Sequence, residues 1–281
     1  MSEKLTEKQH GAGIPALSTK EILEMSIPLP PLSIQNEIVN ILDMFTDLTE
    51  VLEEELEIRK QQFTFYRDQL LCFEGKKVEW KMFGEIYEFK NGLNKGKEFF
   101  GKGTPIVNFT DVFKNLSLNR NELKGKVDVT FKEKQLYSAK RDDLFFTRTS
   151  ETQEDIGMCC ALMDDIEDCV FSGFVLRARP KTKLLLPKFC SYYFTSRYAR
   201  KEIVKQSTFT TRALTSGSRL SKIKLPIPSL SEQKRIVSIL DQLHALINDF
   251  SIGLPAEISA RRKQYEYYRN KLLTFKQLNN E

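Results

Sequence analysis

Histidine is nearly absent from this chain, with only His10 and His244 among 281 residues, and its five cysteines (72, 159, 160, 169 and 190) include no C-x-x-C pair. Structural zinc is built from such pairs, so neither a metal nor any other cofactor is implied. The odd cysteine count, the adjacent Cys159-Cys160 and a polar opening stretch Met1–Gln9 fit a reducing cytoplasm, where thiols act as small core hydrophobes. No apolar run approaches the roughly 20 residues of a membrane span, so a soluble chain with no membrane partner is expected. A phosphate-binding Gly-Lys-Ser/Thr loop, an Asn/Asp-Pro-Pro-aromatic tetrad and a convincing Ser/His or Cys/His pair are also missing, and with them most routes to catalysis. Finally, neither glycine nor proline occurs between Pro31 and Gly75, so nothing there stops a helix.

What the chain does have is an internal repeat. Between Pro28–Asp43 and Pro226–Asp241, ten of sixteen positions are identical: Pro28, Pro30, Leu32, Ser33, Gln35, Ile38, Val39, Ile41, Leu42 and Asp43. A second block, Arg59–Phe73, matches Arg261–Phe275. Repetition at this distance describes two similar arms with something different between them. Charge divides along the same lines. Residues 76–224 carry 29 Lys/Arg against 18 Asp/Glu, a net of +11, while the whole chain is only +5. Positive charge concentrated in a middle domain is the footprint of a polyanion-binding module held by arms that do not need the polyanion.

In the first arm, Ser33 is placed to cap a helix whose seam positions (Ile38, Ile41, Phe45, Leu48, Leu52, Leu56, then polar Arg59, then Phe63, Tyr66, Leu70, Phe73) alternate by three and four with one four-four step, a coiled-coil seam with a stutter. This predicts one helix of about 40 residues, roughly 60 Å long. The second arm repeats the seam, but Gly253 and Pro255 should break it. A lone amphipathic helix of this length cannot bury its seam. Antiparallel pairing of the two arms within one chain, favoured by an acidic first arm and a slightly basic second, competes with pairing across a homodimer. The rings of Phe63, Phe65, Tyr66, Tyr265, Tyr267 and Tyr268 outnumber the seam positions, which makes them candidates for contact with a partner protein.

The segment P-L-P-P-L-S-x-Q-x-x-I-V-x-I-L-D followed by R-K-Q-x-x-x-Y-R-x-x-L-L, on both sides of a basic domain, resembles the specificity subunits of Type I restriction–modification systems. Lys77–Glu85 looks like the entry to a target recognition domain, leading through a strand to a loop at Phe89–Gly92. Asp142–Ser150 is similar to a strand-plus-polar-loop of the family, although Asp142 stands where a glycine is common. The resemblance implies a target recognition domain on double-stranded DNA, antiparallel arms that act as a spacer, docked methyltransferase subunits and an associating restriction/translocase subunit. A full-length subunit has two recognition domains. This chain has one, and Ala16–Leu23 mirrors Ala213–Leu220, as though residues 1–26 closed a preceding domain. A half-sized subunit that dimerises and a truncated product are both compatible with that.

The expected class is α+β: one mixed α/β target recognition domain (76–224) flanked by two long helices forming an antiparallel coiled coil, the first arm and stub in 1–75 and the second arm in 225–281. Runs at Thr104–Phe109, Leu144–Thr147, Cys160–Met163 and Cys169–Ala178 read as strands and Pro187–Val204 as a helix. The DNA-contact candidates fall in three groups. Lys90, Asn91, Lys95, Lys97 and Lys102 lie among glycines 92, 96, 101 and 103 that would let the backbone approach phosphate. Thr147, Arg148, Thr149 and Ser150 form the second group. Lys205, Gln206, Thr208, Thr210, Thr211 and Arg212 form the third. Cations supply phosphate affinity, and Arg, Asn or Gln can read base edges. Two other readings remain open: a coiled-coil adaptor without DNA specificity, and a Mg-dependent nuclease using the D…E-x-K spacing of Asp111, Glu122 and Lys124.

Overall fold

A computed structural model describes residues 19–23, 26–249 and 251–276. The opening stretch and residues 16–18 of the proposed domain tail lie outside that set. The chain enters through a short helix, α1 (Thr19–Leu23), and an extended Pro-rich segment, then forms α2 (Leu32–Leu70), a helix of 39 residues. The uninterrupted helix is the consequence of the missing glycine and proline. It begins a little earlier than Ser33: Gln35 N–H donates to the Pro31 carbonyl at 3.0 Å, so Pro31 fills the cap position and Ser33 lies in the first turn.

Between the arms run β1 (Glu79–Met82), α3 (Phe83–Ile86), β2 (Tyr87–Asn91), β3 (Phe100–Val107), α4 (Phe109–Lys114), β4 (Ser117–Leu118), β5 (Lys126–Val127), α5 (Phe131–Leu136), β6 (Leu144–Thr147), β7 (Thr149–Ser150), β8 (Cys159–Leu162), β9 (Val170–Phe171) and β10 (Val175–Pro180). Then follow α6 (Pro187–Thr195), α7 (Arg197–Gln206), β11 (Thr208–Phe209), β12 (Ala213–Leu214), α8 (Gly217–Leu220), β13 (Lys224–Ile227), α9 (Leu230–Asn248) and α10 (Leu254–Leu272). The five-stranded sheet has the order β2-β10-β6-β8-β4, antiparallel except for the β4–β8 pair. Smaller sheets are β5-β3-β9, β11-β12-β7 and the antiparallel pair β1-β13.

Three sequence expectations are corrected. Phe89–Asn91 continues strand β2 and is not a loop. The run Cys169–Ala178 is not one strand, because Ser172, Gly173 and Phe174 turn the chain between β9 and β10. The helix expected over Pro187–Val204 is two helices, divided at Ser196. That residue caps the second helix by accepting from Ala199 N–H and ties back to the first by donating to the Tyr193 carbonyl at 2.7 Å. The break expected at Gly253 and Pro255 is present: α9 stops at Asn248 and α10 starts at Leu254. Asp142 keeps the turn in which glycine is common by itself adopting φ +72°, a conformation that aspartate tolerates better than most side chains. Next to it, the almost fully buried Asp143 carboxylate accepts two hydrogen bonds from Arg179, at 2.8 and 2.7 Å.

The chain packs as two compact units, one from residues 1–55 with 254–281, the other from 56–253. The sequence segments follow the repeat and these units follow packing, so the two divisions differ. In the first unit α2 and α10 run antiparallel: Phe45 stacks on Tyr268 with centroids 5.3 Å apart, and Arg262 bonds Glu53 at 2.6 Å. In the second, the core is aromatic. Phe83 meets Tyr87, Phe89, Phe146 and Phe194 at 4.8 to 5.7 Å. Helix α6 lies on β8, α9 lies on α6, and Ile236 and Leu240 of α9 are fully buried. The cysteines of this core (159, 160, 169, 190) are free and buried, and burial raises their thiol pKa values, those of Cys169 and Cys190 to about 12. Among the described residues no helix is long and apolar enough to cross a membrane.

Candidate nucleic-acid interface

Two of the three candidate groups converge. Strand β12 is the middle of a three-stranded sheet, with Ala213 opposite Ser150 and Leu214 opposite Thr149, while β11 pairs on its other side. The hairpin from Thr208 to Arg212 therefore stands directly beside Arg148, Thr149 and Ser150. Thr208, Thr210, Thr211 and Arg212 are exposed, and Thr210 N–H closes the hairpin onto the Arg212 carbonyl at 3.2 Å. Lys205 is exposed just before it, loosely paired with Glu202 at 4.0 Å; Gln206 gives its carbonyl to Arg219.

A third strip of backbone joins this surface. Arg148 N–H donates to the Phe174 carbonyl and its guanidinium to the Gly173 carbonyl at 2.8 Å, while Gly173 N–H donates to the Leu93 carbonyl. The end of β2 at Asn91, the 172–174 turn, Arg148 and the hairpin are thus stitched edge to edge by main-chain bonds. Gly92 serves that stitching: a Cβ there would collide with the Ser172 carbonyl. Its absence of side chain admits a neighbouring strand, not a phosphate as the sequence suggests.

Other candidates are committed elsewhere. Thr147 is fully buried, and its hydroxyl accepts from Met158 N–H at 2.9 Å, so it is a core residue. All four residues of β6 are buried, and Arg148, just past its end, is half-buried. Lys95 is mostly covered, paired with Glu133 at 3.0 Å and seated over the Phe99 ring. Glu133 in turn holds the Thr130 backbone N–H, and the two contacts lower its carboxyl pKa. Lys90 lies over the Tyr137 ring, where burial and the neighbouring Arg177 depress its pKa. Lys97 and Lys102 are exposed, the latter 3.9 Å from Asp128. The nuclease constellation does not form a cation cradle: Asp111 accepts from Asn108 N–H at 2.8 Å and Glu122 from Asn119 N–H, each capping its own turn. Among the described residues no cluster of acidic, His or Cys side chains is arranged to hold a metal.

Sequence reasoning missed the apolar part of this surface. A groove of about 670 Å³ near Arg148 is lined by Phe109, Phe113 and Phe174 together with Glu151, Asp155 and Arg212, the last 3.7 Å from Glu151. Phe109 and Phe113 stack at 5.6 Å, and Phe174 is 66% exposed. The signal for Phe174 was available: a Ser-Gly pair inside an apolar run is a turn, and the residue after it is presented outward.

Of the partner-contact candidates on the arms, Phe63 packs on Tyr192 and His244, and Tyr268 on Phe45. Arg269 lies over the half-buried Tyr265 ring, and Phe65, Tyr66 and Tyr267 are exposed.

The profile of the family described as the Type I restriction modification DNA specificity domain matches residues 1–59 and 76–260. The specificity subunit of the EcoR124I/EcoR124II type I restriction enzyme of Escherichia coli is 32% identical over 273 residues, which cover 90% of this chain and 64% of that subunit. A putative type I specificity subunit of Mycoplasma pneumoniae is 29% identical and is covered over 92% of its length. Among solved structures, a chain from a study of assembly and conformational transition in the type I R-M system superposes with a TM-score of 0.72 at 17% identity, over 97% of this chain and 67% of its own; this likeness concerns the fold. The chain spans about two thirds of the length of the E. coli subunit, and it belongs to the family of the Type I restriction modification DNA specificity domain.

Proposed function

We propose that this chain recognises one half of a bipartite DNA target through its single recognition domain, and that its arms dock methyltransferase subunits and set the spacing. The observation that carries this reading is the convergence of the half-buried Arg148, Thr149 and Ser150 with the exposed Thr208–Arg212 hairpin on one polar surface of a domain whose net charge is positive. Under this proposal Lys97, Lys102 and Lys205 supply phosphate contacts around it, and Arg212, exchanging its exposed pairing with Glu151, and Asn91 read base edges. In this reading the arms form an antiparallel coiled coil. Phe65, Tyr66 and Tyr267 offer apolar contact to methyltransferase subunits, and a restriction/translocase subunit joins the complex in the cytoplasm. A homodimer supplies the second recognition domain and so reads a symmetric site. Exposed apolar side chains along the first arm, among them Leu32, Ile34, Val39 and Met44, support such an association.

Fluorescence anisotropy with duplex DNA across a salt series tests the interface. Affinity should fall steeply with salt, with a slope near −0.9 per neutralised phosphate. Lys97→Ala with Lys205→Ala should weaken binding to all sequences alike, whereas Arg212→Ala should blur the preference at one base pair by about ten-fold. Binding that ignores salt, or no binding by the assembled complex, would instead favour a structural adaptor.

A further inference from the structure

Phe174 is an exposed ring on a turn held by several hydrogen bonds. Ser172 N–H donates to the Val107 carbonyl at 2.9 Å, Gly173 N–H to Leu93 at 2.7 Å, and Val175 N–H to Ser172 at 3.0 Å, while Phe174 gives its carbonyl to Arg148 N–H. The Ser172 hydroxyl accepts from Phe174 N–H at 3.3 Å. A Cβ at Gly173 would meet the Asn94 side chain, which would have to shift aside. Main-chain bonds to three neighbouring segments thus fix a benzyl group in solvent, at 66% exposure, whereas Phe171, three residues earlier, is fully buried.

A large ring held rigidly in water is unfavourable unless something covers it. Its surroundings say what that is. Arg148 bonds the turn from behind, and the groove wall holds Thr149, Ser150, Thr152 with Asp155, and Arg212 paired with Glu151 at 3.7 Å. That rim is polar and carries both signs, and it is continuous with the Arg148–Ser150 and Thr208–Arg212 surface assigned above to DNA. Of the surfaces DNA offers, the apolar one reachable from outside the stack is the thymine C5-methyl in the major groove. We infer that Phe174 is a specificity-determining residue that reads a thymine methyl of the half-target by apolar contact. This rests on the DNA-recognition reading above.

The test uses the full chain assembled with its cognate methyltransferase subunits. Wild type and Phe174→Ala are each taken through binding selection from randomised duplexes, and then bound to the selected duplex with single thymines replaced by uracil. Uracil lacks only the methyl. One position should cost wild type about four-fold in affinity, the equivalent of one methyl group withdrawn from apolar contact. At that position Phe174→Ala should select thymine no longer and should bind uracil and thymine equally, while Phe174→Leu should keep part of the preference. A selected motif unchanged in Phe174→Ala, or no uracil-sensitive position in wild type, would overturn the assignment of Phe174 while leaving DNA recognition intact. No motif selected by the wild-type complex would sink the recognition reading and this inference together. Phe174→Leu, which should still select the other positions of the motif, controls for the folding of the variants.

Discussion

The first arm's Pro28–Asp43 and the second arm's Pro226–Asp241 are nearly the same sequence in different surroundings. Local structure is shared. Each segment leaves an extended Pro-rich stretch and enters a helix at the same repeat position, Leu32 or Leu230, and each places its glutamine on the carbonyl five residues back: Gln35 on Pro30 at 2.7 Å, Gln233 on Pro228 at 2.9 Å. Burial is not shared. Gln233 is fully buried and also donates to the Leu184 carbonyl and accepts from Leu186 N–H. Asp241 accepts from the Tyr192 hydroxyl at 2.7 Å and from Lys188 at 2.8 Å, while its counterpart Asp43 is exposed. Leu225 is 1% exposed and pairs in a strand with Lys81; its counterpart Ile27 is 68% exposed in extended chain. Helix entry and the glutamine turn are thus written in the motif, and the clamp on it comes from whatever domain lies against it.

The comparison can be broken most severely at the core. Leu240→Ala should cost about 2–5 kcal/mol of stability, because the neighbouring α6 cannot collapse onto the space. The equivalent Leu42→Ala, half-buried in its own unit, should cost clearly less in denaturant unfolding of the isolated chain. Equal losses would mean that the two arms are equally clamped. Next in size, Gln233→Ala strands the Leu186 N–H and the carbonyls of Leu184 and Pro228, at about 1–3 kcal/mol for a buried unsatisfied group. Gln35→Ala removes one partly exposed bond and should stay near 1 kcal/mol or below.

A pH experiment sharpens the same contrast. His244 packs against Phe63 and Tyr192, and burial lowers its pKa. The unfolded chain, with a histidine of ordinary pKa near 6.5, then binds the proton more readily than the folded one. Stability should therefore be full above that value and decline as pH falls through it and below. The first arm has Thr46 at the equivalent position, and His244→Thr should flatten the dependence of Tm between pH 7.5 and 5.5. The smallest effect is expected at the exposed Arg262–Glu53 pair, where removing either partner should cost roughly 0.2–1 kcal/mol and less in high salt.

How far the sequence could be read follows from the range of the forces involved. The long α2, the break before α10 and the Asp142 turn depend on glycine, proline and φ, which act within a few residues. The pairing of Lys95 is not legible in the sequence, because its carboxylate, Glu133, lies 38 positions away and comes near only through the fold. Thr147 was placed beside Arg148 at the surface because the pairing that buries it, against Met158, is not visible in the strand itself. The β12–β7 pairing that unites two candidate loops is likewise tertiary. Phe174 was hidden by the apolar run around it.

The most direct test of the central claim is long-read methylome sequencing of DNA from cells that co-express this chain with its cognate methyltransferase subunits. The account predicts a new methylated motif that is bipartite and palindromic, with its half-sites within about two helical turns. A co-purifying complex that leaves no new methylated motif would contradict it.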